Sequence, residues 1–373
     1  FEIMEKHAMF LLLISFAASF AQKPVVRPLN IAHRGSSGRL PEHTVEAYRL
    51  GVEDGADYIE CDVCITKDLV PICRHESWLN HTTNVWENQT LHSKVKTYNV
   101  FQPYSNTTKT ITDIFTVDLT LAEIKTIGVN QKYPFRDPNF NGLFKIPTLQ
   151  EYIDVAKSVN RVVGIYPEIK NPEWVNSLEI LRSKNTTFED VVLDVLHKNG
   201  YRKKDSPCYV QSFSEKSIRE LKTKTELPLV KLFDYPFPEA KLQELSSICA
   251  GIGVWKNLII PQLNGYLQKT TDLLTNARKN NLVVHTYTFR NEDKYLAWNY
   301  TQDPYNEYQK FFDLQVDGYF TDFPASLKRF LDMKFTSEPT PKPCPSGVPG
   351  THKGGYPVPA LVLIVTLIHK FLK

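Results

Sequence analysis

The sequence predicts an α/β fold of the (β/α)8 barrel class, with a small insertion after the second strand. Three observations predict it. About eight strand-length apolar runs recur, beginning at Pro28, Ala56, Val162, Cys208, Leu229, Ile248, Leu282 and Val316. Helix-period segments lie between most of them, the pattern of parallel βαβ units. No G-x-G-x-x-G or Walker-type sequence is present, which counts against the nucleotide-binding forms of the doubly wound sheet.

The elements follow in order. Pro28 to Ala32 is a first strand, and Thr44 to Gly51 carries a helical period opened by Pro41-Glu42-His43-Thr44. Ala56 to Ile65 is a second strand, and Leu69 to Cys73 pairs back across the turn Thr66-Lys67-Asp68. Residues 76–147 are rich in Asn, Thr and aromatics and read as a long insertion. Val162 to Tyr166, Cys208 to Phe213, Leu229 to Phe233, Ile248 to Val254, Leu282 to Phe289 and Val316 to Phe320 are the later strands. Helical segments between them include Leu149 to Val159, Phe188 to Lys198 and Glu215 to Thr223. The barrel is expected over residues 28–335.

The two ends have a different character. Residues 1–21 read as a secretory signal: a weakly basic start after Met4, a short apolar core from Ala8 to Phe20, and small residues Ala18 and Ala21 for cleavage near Gln22. Phe1-Glu2-Ile3 precede that methionine and read as upstream, non-native sequence. Residues 336–373 read as a Pro/Gly-rich stalk and a short hydrophobic tail. The apolar run Ala360 to Ile368 is too short to span a bilayer. With Ser346-Gly347 or Gly354-Gly355 before it, it suggests a GPI-attachment signal, against which His369, Lys370 and Lys373 weigh. Simple secretion and a GPI tether both stand as expectations, and the oligomeric state is left open.

Five N-x-Ser/Thr sequons, at Asn80, Asn88, Asn106, Asn185 and Asn299, support secretion as glycosylation candidates. An oxidising compartment lets the six cysteines pair. Cys64 and Cys73 flank a short turn and are the best local pair, while Cys61 reads as a buried thiol. Cys208, Cys249 and Cys344 stay unassigned. The net charge of +3 is spread over 44 basic and 41 acidic residues with no long basic run, so nucleic acid is not an expected partner.

In a barrel the active site lies at the C-terminal ends of the strands. His33 and Arg34 end the first strand, Glu60 and Asp62 lie near the end of the second, His75 ends its returning partner, and Glu168 and Lys170 follow Val162 to Tyr166. Glu60 and Asp62 are two apart, so both face one side of a strand, and Glu168 has the same relation to Lys170. Three carboxylates without a Cys/His set favour a hard cation, Ca2+ first and Mg2+ second. Such a cation polarises a phosphate, Arg34 and Lys170 share its charge, and two histidines move protons.

These residues resemble glycerophosphodiester phosphodiesterases, most nearly the secreted or periplasmic bacterial type. The resemblance rests on His33-Arg34-Gly35, Leu40-Pro41-Glu42-His43-Thr44, Gly55 to Val63, Thr66-Lys67-Asp68, Arg74-His75, Gly164 to Lys170, Val210 to Phe213 and Asp317 to Pro324, and spans about Pro28 to Leu331. It implies metal-dependent hydrolysis of small glycerophosphodiesters such as glycerophosphocholine to glycerol 3-phosphate and an alcohol. It implies Glu60, Asp62 and Glu168 as metal ligands, His33 and His75 as the acid/base pair, Arg34 and Lys170 on phosphate, and Glu42 in support. Either the glycerol 2-hydroxyl attacks phosphorus, giving a cyclic phosphate, or water attacks directly. Glu76 stands where the family usually has Asp. The rival readings are phospholipase D-like action on lysolipids or sphingolipids, and a non-catalytic extracellular scaffold.

Overall fold

The computed structural model describes residues 26–336. The expected signal peptide, the stalk with its tail, and Cys344 lie outside them. Eight parallel strands close on themselves: β1 (Leu29–Ala32), β2 (Tyr58–Ile65), β6 (Gly164–Ile169), β7 (Val210–Ser212), β8 (Leu229–Phe233), β9 (Gly251–Trp255), β10 (Val283–Phe289) and β11 (Gly318–Thr321). Closure comes from β1, which pairs with β2 on one side and β11 on the other. β3 (Pro71–Cys73) returns antiparallel along the end of β2, as the turn at Thr66-Lys67-Asp68 predicts. Among the described residues no helix is long and apolar enough to cross a membrane.

Alternation along each strand divides the side chains between two environments. On β2 the odd residues Ile59, Cys61 and Val63 join the main core between strands and helices, while Tyr58 faces the barrel interior. On β6, Ile165 and Ile169 point outward and Tyr166 inward. The interior is filled by rings: Tyr166 stacks on Tyr209 at 5.0 Å, meets Phe320 edge-on at 5.0 Å and bonds His285 Nδ1 through its hydroxyl at 2.8 Å. Each fully buried large apolar side chain contributes about 1.5–3 kcal/mol, and the outer layer holds dozens. Helices start on threonine caps: Thr44 before Val45–Glu53, Thr148 before Leu149–Lys157, Thr187 before Phe188–Lys198, the last two as capping boxes.

The insertion lies between β3 and the helix Leu149–Lys157. It has a separate apolar cluster that includes Cys64, Ile72, Leu79, Ile114 and Ile146. It also carries a long hairpin, β4 (Val95–Gln102) with β5 (Thr107–Ile114). Of its sequons, Asn80 and Asn106 are exposed and Asn88 half-buried; Asn185 and Asn299 are exposed elsewhere.

One expectation is corrected. Cys73 bonds Cys61, with Cα atoms 5.7 Å apart, and Cys64 is a free, buried thiol. Register explains it. Cys73 lies opposite Val63 and Cys64 opposite Ile72. Facing residues share a side of the sheet, so Cys73 shares its side with Val63 and Cys61, and Cys64 points the other way. Proximity to the turn suggested the wrong partner; parity selects the right one.

Candidate active site

The strand parity that stacks rings in the barrel also aims the site. Moving up β2 from Tyr58, the next inward residues are Glu60 and Asp62; moving up β6 from Tyr166, they are Glu168 and Lys170. Parallel pairing sets Asp62 beside Glu168. Carboxylate oxygens of Glu60, Asp62 and Glu168 come within 4.8 Å of one another, all buried. Burial and the neighbouring Asp62 push the Glu60 carboxyl well above its usual range, and burial does the same to Glu168. Burial also opposes the charge on Asp62, but Lys170 and the cations around it hold that carboxylate well below its usual range. Three crowded carboxyls of which two resist ionisation suit a divalent cation, and all-oxygen donors suit a hard one.

His33 and Arg34 follow β1 in a tight turn in which Arg34 (φ 60°) and Gly35 (φ 85°) are both left-handed. A Cβ on Gly35 would lie 2.6 Å from the backbone of Ala47, so only glycine fits there. The conformation is costly for Arg34, about 1 kcal/mol or more, and is held from all sides. Its N–H donates to Glu60 Oε2 at 2.8 Å, and its Nη1 donates to both oxygens of Glu42 at 2.9 and 3.0 Å. Its Nε lies 3.2 Å from both Asp62 Oδ2 and His33 Nε2. Glu42 is thus the clamp on the guanidinium. Burial disfavours its charge, yet Arg34 and Lys132 keep it well below the usual carboxylate range.

The two histidines are held alike. Arg34 Nε is only a donor, so His33 Nε2 accepts and His33 Nδ1–H donates to Asp322 at 2.6 Å. Lys170 Nζ is likewise only a donor and lies 3.3 Å from His75 Nε2, so His75 Nδ1–H donates to Glu76 at 2.6 Å. Burial, then Arg34, lower His33 to about 4 and His75 to about 3. Both rings are neutral at neutral pH. Lys170 also reaches Glu168 at 2.9 Å and Asp62 at 3.6 Å. A continuous chain results: His33, Arg34, Asp62, Lys170, His75.

All eight site residues expected from the sequence therefore meet at one mouth. Several of their partners carried no expectation. Asp322 follows β11, next to β1 in the closed barrel, and also accepts from Arg136 at 2.6 Å and Arg290 at 2.8 Å. His43, buried at φ 56°, bonds Asp62 through Nε2 at 2.9 Å and the Tyr48 hydroxyl at 2.7 Å. Gln211 approaches Glu60 at 3.5 Å. Closure of eight strands was a signal for Asp322, since the ends of the first and last strands become neighbours. Arg136, from the insertion, had none.

A cavity of about 190 Å³ opens beside His75, Glu168 and Lys170, walled on its outer side by the β4–β5 hairpin. A larger apolar cavity of about 430 Å³ near Trp255 and Leu258 touches none of the eight residues and plays no part in this chemistry.

A parallel barrel with a paired-imidazole, three-carboxylate mouth defines a phosphodiester hydrolase. The family model for the glycerophosphoryl diester phosphodiesterase family matches residues 33–326, and the chain belongs to that family. It is 40% identical over 330 residues to the glycerophosphodiester phosphodiesterase GDPD6 of Arabidopsis thaliana, covering 83% of this chain and 87% of the relative. A glycerophosphodiester phosphodiesterase of Haemophilus influenzae is 27% identical, over 81% of this chain and 89% of its own. Two solved structures show the same fold at 20% identity. A putative glycerophosphoryl diester phosphodiesterase of Silicibacter pomeroyi superposes with TM-score 0.60 over 83% of this chain and 95% of that one. A phosphodiesterase of Oleispira antarctica, in complex with its product sn-glycerol-3-phosphate, gives 0.57 over 81% and 96%.

Proposed function

We propose that this chain hydrolyses glycerophosphodiesters to glycerol 3-phosphate and an alcohol with His33 and His75 as its acid/base pair and Glu60, Asp62 and Glu168 as ligands for a divalent cation, Ca2+ before Mg2+. The observation that carries this reading is the chain of contacts from His33 Nε2 through Arg34, Asp62 and Lys170 to His75 Nε2. It sets two proton acceptors on either side of two fixed cations, the arrangement a phosphodiester anion needs.

Arg34 and Lys170 would bind the non-bridging oxygens. When bound, a hard cation on the three carboxylates draws charge from the phosphoryl group and makes phosphorus more electrophilic. One imidazole takes the proton of the attacking hydroxyl at Nε2, and its carboxylate partner, Asp322 or Glu76, stabilises the imidazolium. Burial and then Arg34 disfavour a charged ring at both sites; the substrate anion would oppose both effects, so that the other imidazole carries the proton that the leaving alkoxide takes. The bond from phosphorus to the alcohol oxygen breaks, and water supplies the oxygen of the new phosphate monoester.

The reading extends to a secreted glycoprotein, on the N-terminal apolar segment and five sequons, with a GPI tether as the form of any membrane association. Endoglycosidase and phospholipase C treatment of expressing cells checks both.

The test is release of glycerol 3-phosphate from glycerophosphodiesters by the purified protein, with Ca2+ and with EDTA. Activity that EDTA abolishes, and that His33→Ala and His75→Ala each lack while remaining folded, supports the reading. Full activity in either variant refutes the acid/base roles. Hydrolysis of lysolipid or sphingolipid alone would replace the substrate class.

A further inference from the structure

The chamber beside His75 extends past the four residues that the chemistry above uses, His75, Glu76, Glu168 and Lys170, and the hairpin that walls it belongs to the insertion rather than to the barrel. Tyr104, at the hairpin tip, meets Phe213 edge-on at 6.2 Å across the opening. Two such rings commonly form a cage for a quaternary ammonium group. Here each already has a lysine. Lys109 lies 5.5 Å over the Tyr104 ring and donates to its hydroxyl at 2.8 Å; Lys170 lies 5.8 Å over the Phe213 ring.

The chamber also does not end at the hairpin. Pro103 and Phe213 line both it and an open groove of about 540 Å³, into which Lys216, Lys231 and Lys241 face alongside Glu173 and Glu215. The glycerol half of the diester has a fixed size and needs no such extension. The alcohol half varies, and does.

We infer that this chamber is the subsite for the alcohol half of the diester, and that Lys109 makes it select polyhydroxy alcohols over quaternary ammonium ones. The inference rests on the diesterase reading. Lys170 is committed to Glu168, Asp62 and the substrate phosphate. Lys109 is exposed and free of ion pairs in its bond to Tyr104, so its ammonium can donate to hydroxyls of the alcohol and repels a fixed cation.

The experiment compares kcat/KM of the purified full chain with Ca2+ on glycerophosphoglycerol, glycerophosphoinositol and glycerophosphocholine, in wild type, Lys109→Gln and Lys109→Glu. Wild type is expected to favour both polyol substrates, and charge reversal to move the polyol-to-choline ratio toward choline by about tenfold at low salt, with a smaller shift in high salt. Lys109→Gln, which removes the charge and keeps a polar end, moves it the same way by less, so a misfolded Lys109→Glu does not decide the matter. An unchanged ratio in both variants overturns the inference. Equal changes on all three substrates also overturn it, because the chamber then holds the shared glycerol half. If wild type hydrolyses none of the three, the diesterase reading itself falls.

Discussion

The two histidine walls of the mouth are built to different standards. On the His33 wall the carboxylate partner, Asp322, comes from a neighbouring strand and is itself gripped by Arg136 and Arg290. The pair is closed, with His33 and Asp322 side chains 11% and 2% exposed. On the His75 wall the partner is the adjacent residue, Glu76, whose second oxygen is buried without a hydrogen bond. That pair is more open, at 27% and 15%, and faces the chamber under the hairpin. One wall is a locked network drawn from the neighbouring strand end and the insertion; the other is a short local clamp beside the chamber under the hairpin. On the function proposed above, chemistry and recognition would have separate supports.

Removing Asp322 is the strongest way to break this comparison. Asp322→Ala leaves Arg290 without its carboxylate partner and Arg136 with Glu292 alone, and should cost about 3 kcal/mol of stability, together with turnover. Calorimetry and a glycerol 3-phosphate assay read both, and an unchanged melting temperature would show that the network is ornamental. Glu76→Gln on the other wall should lower kcat about tenfold, against the 10²–10⁴ carried by general acid/base catalysis itself, with little change in melting temperature. Equal stability losses from both variants would erase the distinction between the walls.

Glu60 contacts neither histidine pair and accepts instead from the Arg34 N–H. Glu60→Gln should raise the cation concentration needed for half-maximal activity by about 100-fold, read by titration after chelation. An unchanged requirement would remove it from the ligand set.

The disulfide sharpens the comparison further, because it ties β3, and so Arg74 and His75, to β2 between Glu60 and Asp62. Cys73→Ala should cost about 2–3 kcal/mol and raise hydrogen exchange around His75 but not around His33. Matching changes at both would mean the walls are mechanically one.

The smallest effect at neutral pH concerns the floor below both. Burial lowers His285 to about 3, so it is neutral in the folded barrel while the unfolded chain takes a proton below its ordinary 6.5. A depressed native value gives stability that is present above about pH 6.5 and lost as pH falls toward 3, at roughly 1.4 kcal/mol per pH unit. His285→Asn should flatten that acid limb of the stability curve by this amount. An identical limb would assign acid sensitivity to the walls instead.

Much of this was legible in the chain. Leu229 to Phe233 and Phe188 to Lys198 have the same bounds as sequence runs and as elements, because a short apolar run or a helix-period stretch bounded by turn residues leaves little choice. Val162 to Tyr166 was placed early: Gly164 opens the strand, since Val162 is exposed and the inward rings begin at Tyr166. Seven of the eight site residues sit on strands or just past their ends, where parity in sequence is parity in space; Glu42 sits in the loop before the helix Val45–Glu53. What stayed hidden depends on distance. Nothing near Arg136 reveals that it crosses from the insertion to Asp322, and His43 looks like part of a helix entry until Asp62 is seen against it. The cysteine pairing failed for the opposite reason: it was local, but needed the register of β3 on β2.

The ring stack of Tyr166, Tyr209, His285 and Phe320 makes the barrel a cup rather than a tube. Traffic is therefore one-ended. The outgoing phosphate monoester and the incoming diester would then share a single doorway, and accumulated glycerol 3-phosphate is expected to slow turnover competitively, which initial rates at rising product concentration would read.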